Sequence, residues 1–536
     1  MSLGTARGSE DETSEARKWR SGESPLPRLP LLFFLLLAAI ALISRVWAAS
    51  LLPNAEQDGY SYAEIISQLT RHFETGEFRL ADLYGFWLPL FQLMTAGLNL
   101  FVHDALVSGK IVNVICGAAS LVLVFDITRR LTGRLWAAFL AFILLLLDPV
   151  HLLYSAACMT DVPHGCLVLG SLWFAMQRRW LLAAIVAACA SFIRVESWAL
   201  IVALPVIQFA TERRVSAGAL FILLAPPVAW LGITAAVTGN ALSYFHARTL
   251  YHAEYMDFHP GRHGFEWKII SEDLRNFLSG AGKVVSLGAV ASGVIVLWQW
   301  IRSRTPPATG LMATVFFYGA MLGLILVAYV SKAQPVLLPR YGLTFFATGL
   351  PLFCWALVQL VNRTNHQLAK VSLVVAVIAV VAIEAERKLP VLRKVQQDFD
   401  AQSRIAAAVV DRLDHTPEAR GFSDDVAVRV LSHLPPERFL RSSAARDSGV
   451  ADTEGFMSYL RAQNATLLVY FSTEDSLPVK FLPQLERSDP ANGSRRPADE
   501  IHPHRPAADA TYRFELLDYA KSTFGPDIWL YRLPDP

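Results

Sequence analysis

The sequence predicts a polytopic α-helical membrane protein with a small α/β domain at its C-terminal end, and three observations carry that reading. Of 536 residues, 53% are hydrophobic and 18% charged, with a mean hydropathy of +0.36, too apolar a balance for an ordinary water-soluble chain. Apolar runs of spanning or near-spanning length recur from residue 29 to residue 383. Beyond residue 384, charge, Pro and Ser rise together and no run is long enough to span. The net charge of +2 comes with no basic stripe interleaved with aromatic residues, which argues against nucleic acid as a partner.

In chain order, residues 1–28 are rich in Ser, Gly, Glu and Arg without apolar periodicity and read as a disordered tail. A first helix over 29–49 is expected to stay in the membrane, while Val46-Trp47-Ala48 loosely resembles a signal-peptide cleavage site. Spans are then expected near 105–127, 135–153, 162–176, 180–210, 217–237, 284–301, 311–330, 341–361 and 371–383, about ten or eleven membrane segments in all. Arg194 and Glu196 interrupt the run at 180–210, which reads as two half-helices entering and leaving on one side.

Arg129, Arg130, Arg134, Arg178, Arg179, Arg213, Arg214, Arg302, Arg304, Arg363 and Lys370 all fall in short connections, which the positive-inside rule assigns to the cytoplasm. Alternation then puts 50–104, 154–161, 238–283, 331–340 and the C-terminal domain outside. The long first outer loop, 50–104, holds two expected surface helices. One is 61–74, striped by Ile65, Ile66, Leu69 and Phe73; the other is 85–101, which contains Pro89. The expected domains are a tail (1–28), a transmembrane domain (29–385) and an extracytoplasmic α/β domain (386–536). Within the last, 391–413 and 454–462 read as helices and 466–471, 512–517 and 528–531 as strands. The five cysteines lie in or beside apolar runs without a CxxC pair, a pattern that suits neither a disulfide framework nor a zinc knuckle.

Charges within or beside spans are costly and are therefore candidates for function. Asp58, in NAEQDGYSY, follows the first apolar run with Tyr60 and Tyr62 beside it. A carboxylate there can act as a general base; the alternative is a wet interfacial loop. Asp161, in TDVPHG, stands where an outer loop re-enters the membrane, either as a second acid of a site or as a helix N-terminal acid suited to the macrodipole. His164 either shares that site or faces a cavity. Arg194 and Glu196 can neutralise each other at depth, or the arginine can meet a buried phosphate. The stretch 243–264 gathers His246, Arg248, His252, Glu254, Asp257, His259, Arg262 and His263 among aromatic rings, a set suited to an anionic headgroup or a divalent metal. Arg340-Tyr341 opens a late helix in LLPRYGLTFF, where interfacial anchoring is the plain reading.

In order and topology these motifs resemble the membrane GT-C glycosyltransferases that use polyprenyl-phosphate sugar donors, the group containing protein O-mannosyltransferases and lipid A aminoarabinose transferases. The matching features are Asp58 in DGYSYAE, Phe86-Trp87-Leu88-Pro89, Thr160-Asp161-Val162-Pro163, the Ile193-Arg194-Val195-Glu196 break and Pro339-Arg340-Tyr341. The resemblance covers most of 29–383. It implies inverting transfer of a sugar from a polyprenyl-phosphate lipid to a glycan, lipid or protein acceptor, on the periplasmic or exterior face of a bacterial inner membrane. It implies Asp58 as catalytic base, Asp161 as second acid, and Arg248 or Arg340 at the donor phosphate. Tyr341 and Arg194 join the phosphate candidates, and Tyr60, Tyr62, His164, His246 and Glu196 complete the candidate substrate set. Some members carry an acid just before the Pro motif, associated with metal binding; here Leu83-Tyr84-Gly85 stands there and the nearest acid is Asp82, so a divalent metal stays open. The rival classes are a transporter, which also uses intramembrane charges and broken helices, and a non-catalytic assembly protein. Against the transporter stand the long outer loop, the surface helices and the absence of an obvious repeat. The C-terminal domain is expected to serve acceptor choice or assembly and not the chemical step.

Overall fold

The computed structural model describes residues 29–258, 266–304, 307–331, 334, 336–471, 476–482, 485, 514–521 and 528–533. The tail 1–28 and His259, Arg262 and His263 lie outside the described residues, as do the side chains of Glu254 and Asp257. Packing divides the chain into two units.

The first unit takes the chain through Leu51, then Leu69–His103 and Val107–Leu389. Its main helices are α1 (Leu31–Leu51), α3 (Leu90–Val102), α4 (Ala105–Thr132), α5 (Leu135–Leu147), α6 (Pro149–Ser155), α7 (Asp161–Met176), α8 (Trp180–Ser191), α9 (Leu200–Glu212) and α10 (Ala217–Thr238). After these come α11 (Ser243–Phe258), α12 (Trp267–Ala281), α13 (Lys283–Ser303), α14 (Thr309–Val330), α15 (Leu343–Arg363) and the start of α16 (Gln367–Leu413). Helix α2 (Glu56–Thr75) is shared between the units. Among the described residues eight helices are long and apolar enough to cross a membrane, or nine if the bent pair α5–α6 is one span. The chain is an integral membrane protein. The sequence-based count is higher because it includes the runs at 162–176 and 180–210, whose helices α7 and α8 have only 16 and 12 residues, short of the roughly 20 a bilayer core needs.

Three local differences have clear causes. The run read as one span over 135–153 bends by 64° between α5 and α6. Asp148 leaves the helical region there (φ −67°, ψ 117°), its carboxylate accepts from His151 N, and Pro149 opens α6, a capped restart with proline where its missing N–H costs nothing. The expected span at 371–383 and helix at 391–413 form one 47-residue helix, α16, with Pro390 inside it. The residues flanking that proline, Ala385-Glu386-Arg387-Lys388-Leu389 and Val391-Leu392-Arg393-Lys394, are mostly strong helix formers, and they carry the helix across one missing bond. Finally, Asp58 is not in a loop: α2 starts at Glu56, and Glu56 and Asp58 supply acid to its first turn, where the macrodipole favours it.

The second unit comprises Leu52–Gln68, Asp104–Leu106 and Pro390–Pro536. Its five strands are β1 (Arg420–Ser423), β2 (Phe439–Leu440), β3 (Ala465–Phe471), β4 (Glu515–Ala520) and β5 (Ile528–Arg532), in the order β2-β1-β3-β5-β4. β1 runs parallel to both β2 and β3, and β5 runs antiparallel to β3 and β4. Side-chain alternation sorts the sheet into two faces. Leu468, Tyr470, Trp529 and Tyr531 pack with Phe456, Met457 and Leu460 of helix α17 (Thr453–Ala462). Leu467, Val469, Phe471 and Leu530 pack instead with Ile405, Val409 and Leu413 of α16, so both faces are covered. The strands expected at 466–471, 512–517 and 528–531 are present with shifted ends, whereas β1 and β2, four and two residues long, are too short to show a period.

Candidate functional site

The first unit gathers charge where three interrupted segments meet. The run at 180–210 breaks after α8, passes through Phe192 to Arg194 and a 3-10 turn (Val195–Ala199), and resumes as α9. The broken helix end leaves carbonyls without intrahelical partners, and the start of α3 leaves an N–H in the same position. They satisfy each other: Leu90 N donates to Phe192 O at 3.1 Å. That bond ties Phe86-Trp87-Leu88-Pro89 to the break.

Arg194 emerges from this break and is held by two carboxylates. It donates to Asp161, the first residue of α7, at 2.6 Å, and to Glu196 at 2.7 Å. The Arg194–Glu196 pairing is the mutual neutralisation expected from the sequence; its bond to Asp161 was not legible there. Asp161 is buried, with 3% of its side chain exposed, while Arg194 and Glu196 keep 15% and 21%. His164, one turn into α7, bridges two further segments: its ring nitrogens lie 2.7 Å from Ser197 Oγ and 3.2 Å from Thr344 Oγ1. Ser197 and Thr344 escaped the sequence reading because small hydroxyl residues in apolar runs carry no pattern of their own.

The turn Pro339–Gly342 supplies the aromatic side of the cluster. The Arg194 guanidinium lies 5.2 Å from the centre of the Tyr341 ring, and that of Arg340 lies 5.5 Å from it, both within cation–π range. Two glycines let this turn sit against α12. A Cβ on Gly280 would fall 1.7 Å from Pro339 O, and one on Gly342 would fall 2.3 Å from Ala281 N, so backbone meets backbone and no side chain fits between.

Helix α11 brings a third arginine. Arg248 donates to the Tyr244 hydroxyl at 3.0 Å and lies 5.3 Å from the centre of the Phe86 ring. Burial works against the Arg248 charge, but Tyr244, Glu196 and Tyr341 more than offset it and hold its pKa above the ordinary value. Tyr244 is itself raised, chiefly by burial, and packs on Trp230 beside Leu88. The first unit thus unites Asp161, His164, Arg194, Glu196, Arg248, Arg340 and Tyr341. His246 is exposed on α11, and His252 is buried.

The other sequence candidates belong to the second unit. Asp58 is half-buried, and Tyr60 and Tyr62 are buried at 1% and 2% exposure. Burial raises the Tyr60 phenol, and the nearby Asp425 carboxylate raises it further. Among the described residues no group of three or more His, Cys, Asp or Glu converges to hold a metal ion. Asp82, the nearest acid to the Pro motif, accepts from Arg79 N at 2.7 Å and pairs with His72 at 2.9 Å. Among the described residues these groups do not fit a divalent ion.

No family model matches this chain, and no curated protein matches it. Solved structures do. The crystal structure of ArnT from Cupriavidus metallidurans bound to undecaprenyl phosphate superposes with a TM-score of 0.55 at 15% identity, covering 94% of this chain and 98% of that one. The same protein in the apo state gives 0.52 at 15% identity over 93% and 97%. The Archaeoglobus fulgidus oligosaccharyltransferase tethered to an acceptor peptide gives 0.47 at 13% identity over 82% and 69%. The likeness to ArnT extends over nearly the whole of both chains, and it shows that this chain shares the fold of that structure.

Proposed function

We propose that this protein is an integral-membrane glycosyltransferase that moves a sugar from a polyprenyl-phosphate donor to an acceptor on the extracytoplasmic face, with inversion. The observation that carries the reading is the assembly of Arg194, Arg248 and Arg340 with Asp161, Glu196 and Tyr341, with Arg194 and Arg340 at breaks between apolar helices and Arg248 on α11. Charge within an apolar bundle is costly and is kept where function needs it, and arginines beside aromatic rings form a surface that a phosphate can meet with charge-assisted hydrogen bonds. The ArnT used for comparison binds undecaprenyl phosphate, and a lipid of that class is the donor carrier we assign here.

In this mechanism Asp58 removes the proton from an acceptor hydroxyl or amine as it attacks the anomeric carbon, and polyprenyl phosphate leaves from the opposite side. Arg248 and Arg340 stabilise the leaving phosphate. Arg194 is the weaker candidate, because two carboxylates already engage it and a phosphate would have to displace one. Asp161 and Glu196 hold Arg194, and so keep the cationic wall in place. The distribution of Arg and Lys supports a cytoplasmic tail at 1–28, a transmembrane domain over 29–385 and an extracytoplasmic 386–536. A bacterial inner membrane with the site facing the periplasm is the setting this reading takes.

The test is turnover by purified protein of undecaprenyl-phosphate hexoses and pentoses labelled in the sugar, scored by release of undecaprenyl phosphate. Asp58→Asn keeps the size of the side chain and removes the base, so turnover should fall by roughly two to four orders of magnitude with undecaprenyl phosphate still bound. Near-normal turnover by folded Asp58→Asn protein would refute the assignment of the base. Arg340→Ala should weaken the binding of undecaprenyl phosphate by about 1.5 to 3 kcal/mol. Unchanged affinity would transfer the phosphate role to Arg248.

A further inference from the structure

We infer that the C-terminal α/β unit positions the helical turn carrying Asp58, with Asp425, Arg429 and Arg441 as the positioning residues acting through Gln57 and Glu64. The inference rests on the reading of Asp58 as the base and deepens it. It also departs from the expectation that the C-terminal domain stands apart from the chemical step.

The segment 52–68 packs as part of the second unit, and its polar contacts bracket Asp58. One residue before it, the Gln57 amide donates to Asp425 Oδ1 at 3.2 Å and accepts from Ala427 N at 3.3 Å. Further along the same helix, Glu64 accepts from Arg429 through Nε at 3.3 Å and Nη2 at 3.2 Å, and from Arg441 through Nη2 at 2.5 Å. The residues that grip are themselves fixed. Asp425 is fully buried and caps the helix that follows it, accepting from Val428 N. Arg429 is 7% exposed and donates to Ser423 O at 2.8 Å. Asp424, next in the chain to Asp425, accepts from Ser442 N and Oγ, next in the chain to Arg441.

Where these residues lie in the sheet gives the contact its meaning. Asp424 and Asp425 directly follow β1, and Arg441 directly follows β2; the two strands are adjacent and parallel. The carboxyl edge of adjacent parallel strands is where open α/β sheets present groups to a ligand. In this unit that edge grips the protein's own helix α2. A fork-shaped guanidinium pair on one carboxylate, plus a two-way amide contact one residue from Asp58, fixes both the axial position and the rotation of the turn. General-base catalysis is sensitive to both, since about 1 Å of misplacement can cost about 100-fold.

The experiment uses the full-length protein and two independent readouts. Hydrogen exchange over residues 57–66 reports the clamp without reference to activity. Turnover of the labelled donor panel, set beside the affinity for undecaprenyl phosphate, reports its consequence. For Arg429→Ala, exchange over 57–66 should rise at least about tenfold while transmembrane peptides are unchanged, and kcat should fall about 10- to 100-fold with phosphate-lipid affinity intact. Arg429→Lys, which keeps the charge and loses the fork, should recover part of the loss. Should Arg429→Ala fail to fold, Gln57→Ala removes only a neutral contact and carries the same expectation at about half the logarithmic effect. Unchanged exchange over 57–66, or faster exchange with unchanged kcat, overturns the proposal. If Asp58→Asn turns over normally, it is the base assignment that fails, and the exchange result still decides whether the unit holds the helix.

Discussion

Two short stretches of the first unit have nearly the same residues and opposite fates: Asp148-Pro149-Val150-His151 and Asp161-Val162-Pro163-His164. Each sets an acid at a helix start, with a histidine three positions on and a distant cation. Around the first the polar groups close on one another. Asp148 takes the Lys388 ammonium at 2.6 Å and the His151 N–H at 2.8 Å. Fully buried Arg45 donates to the carbonyls of Leu145 and Leu146 at the end of α5 and contacts His151 Nδ1. A cation at a helix C-terminus suits the macrodipole, and this cluster reads as a structural knot. Around the second the cation retains some exposure and shares its neighbourhood with Tyr341, Glu196 and Arg248. The lesson is that a motif of this kind acquires its role from the partners the fold brings to it.

The largest expected effect breaks the first cluster. Lys388→Ala leaves a buried carboxylate without its ion-pair partner, which should cost about 3 to 5 kcal/mol; loss of folded protein on heating in detergent checks it. The sharpest contrast follows from paired acids. Asp148→Asn should lower the melting temperature while turnover per folded molecule is kept, whereas Asp161→Asn should lower turnover per folded molecule, on the order of 100-fold. A drop in turnover for both, or for neither, would erase the distinction between the clusters.

Gly280→Ala tests the turn that carries Arg340 and Tyr341. Its Cβ would overlap the Pro339 carbonyl, so the turn must move, at about 1 to 3 kcal/mol; weaker binding of undecaprenyl phosphate than in a Gly323→Ala control is the expected signature, since Gly323 has nothing near its missing Cβ. The smallest effect belongs to Ser197→Ala, which takes one hydrogen bond from His164 and should cost about 1 kcal/mol, read from thermal unfolding.

How much of this was legible follows from the range of each signal. Long apolar runs encode their helices locally, so most spans stand close to where composition puts them. The Arg194–Glu196 pair was legible because its members are two residues apart. The bonds from Arg194 to Asp161 and from His164 to Ser197 both join positions 33 apart, and no local period announces them. The same reason hid the assignment of 52–68 to the second unit, since Gln57 and Glu64 find their partners more than 360 positions away. Strand β2, two residues long, offered no alternation to count.

The Lys388–Asp148 bond joins residues 240 positions apart, which makes it an event in time as well as in space. A ribosome adding roughly 5 to 20 residues per second needs about 12 to 48 s to travel between them. Throughout that interval the carboxylate of Asp148 has been made and its lysine has not. Arg45, synthesised earlier and bonded in the finished protein to the carbonyls of Leu145 and Leu146 just before Asp148, is the cation at hand in the interim. Closure by Lys388 therefore marks a late step of assembly, and a nascent chain stopped short of residue 388 should be a preferred target for membrane quality-control proteases.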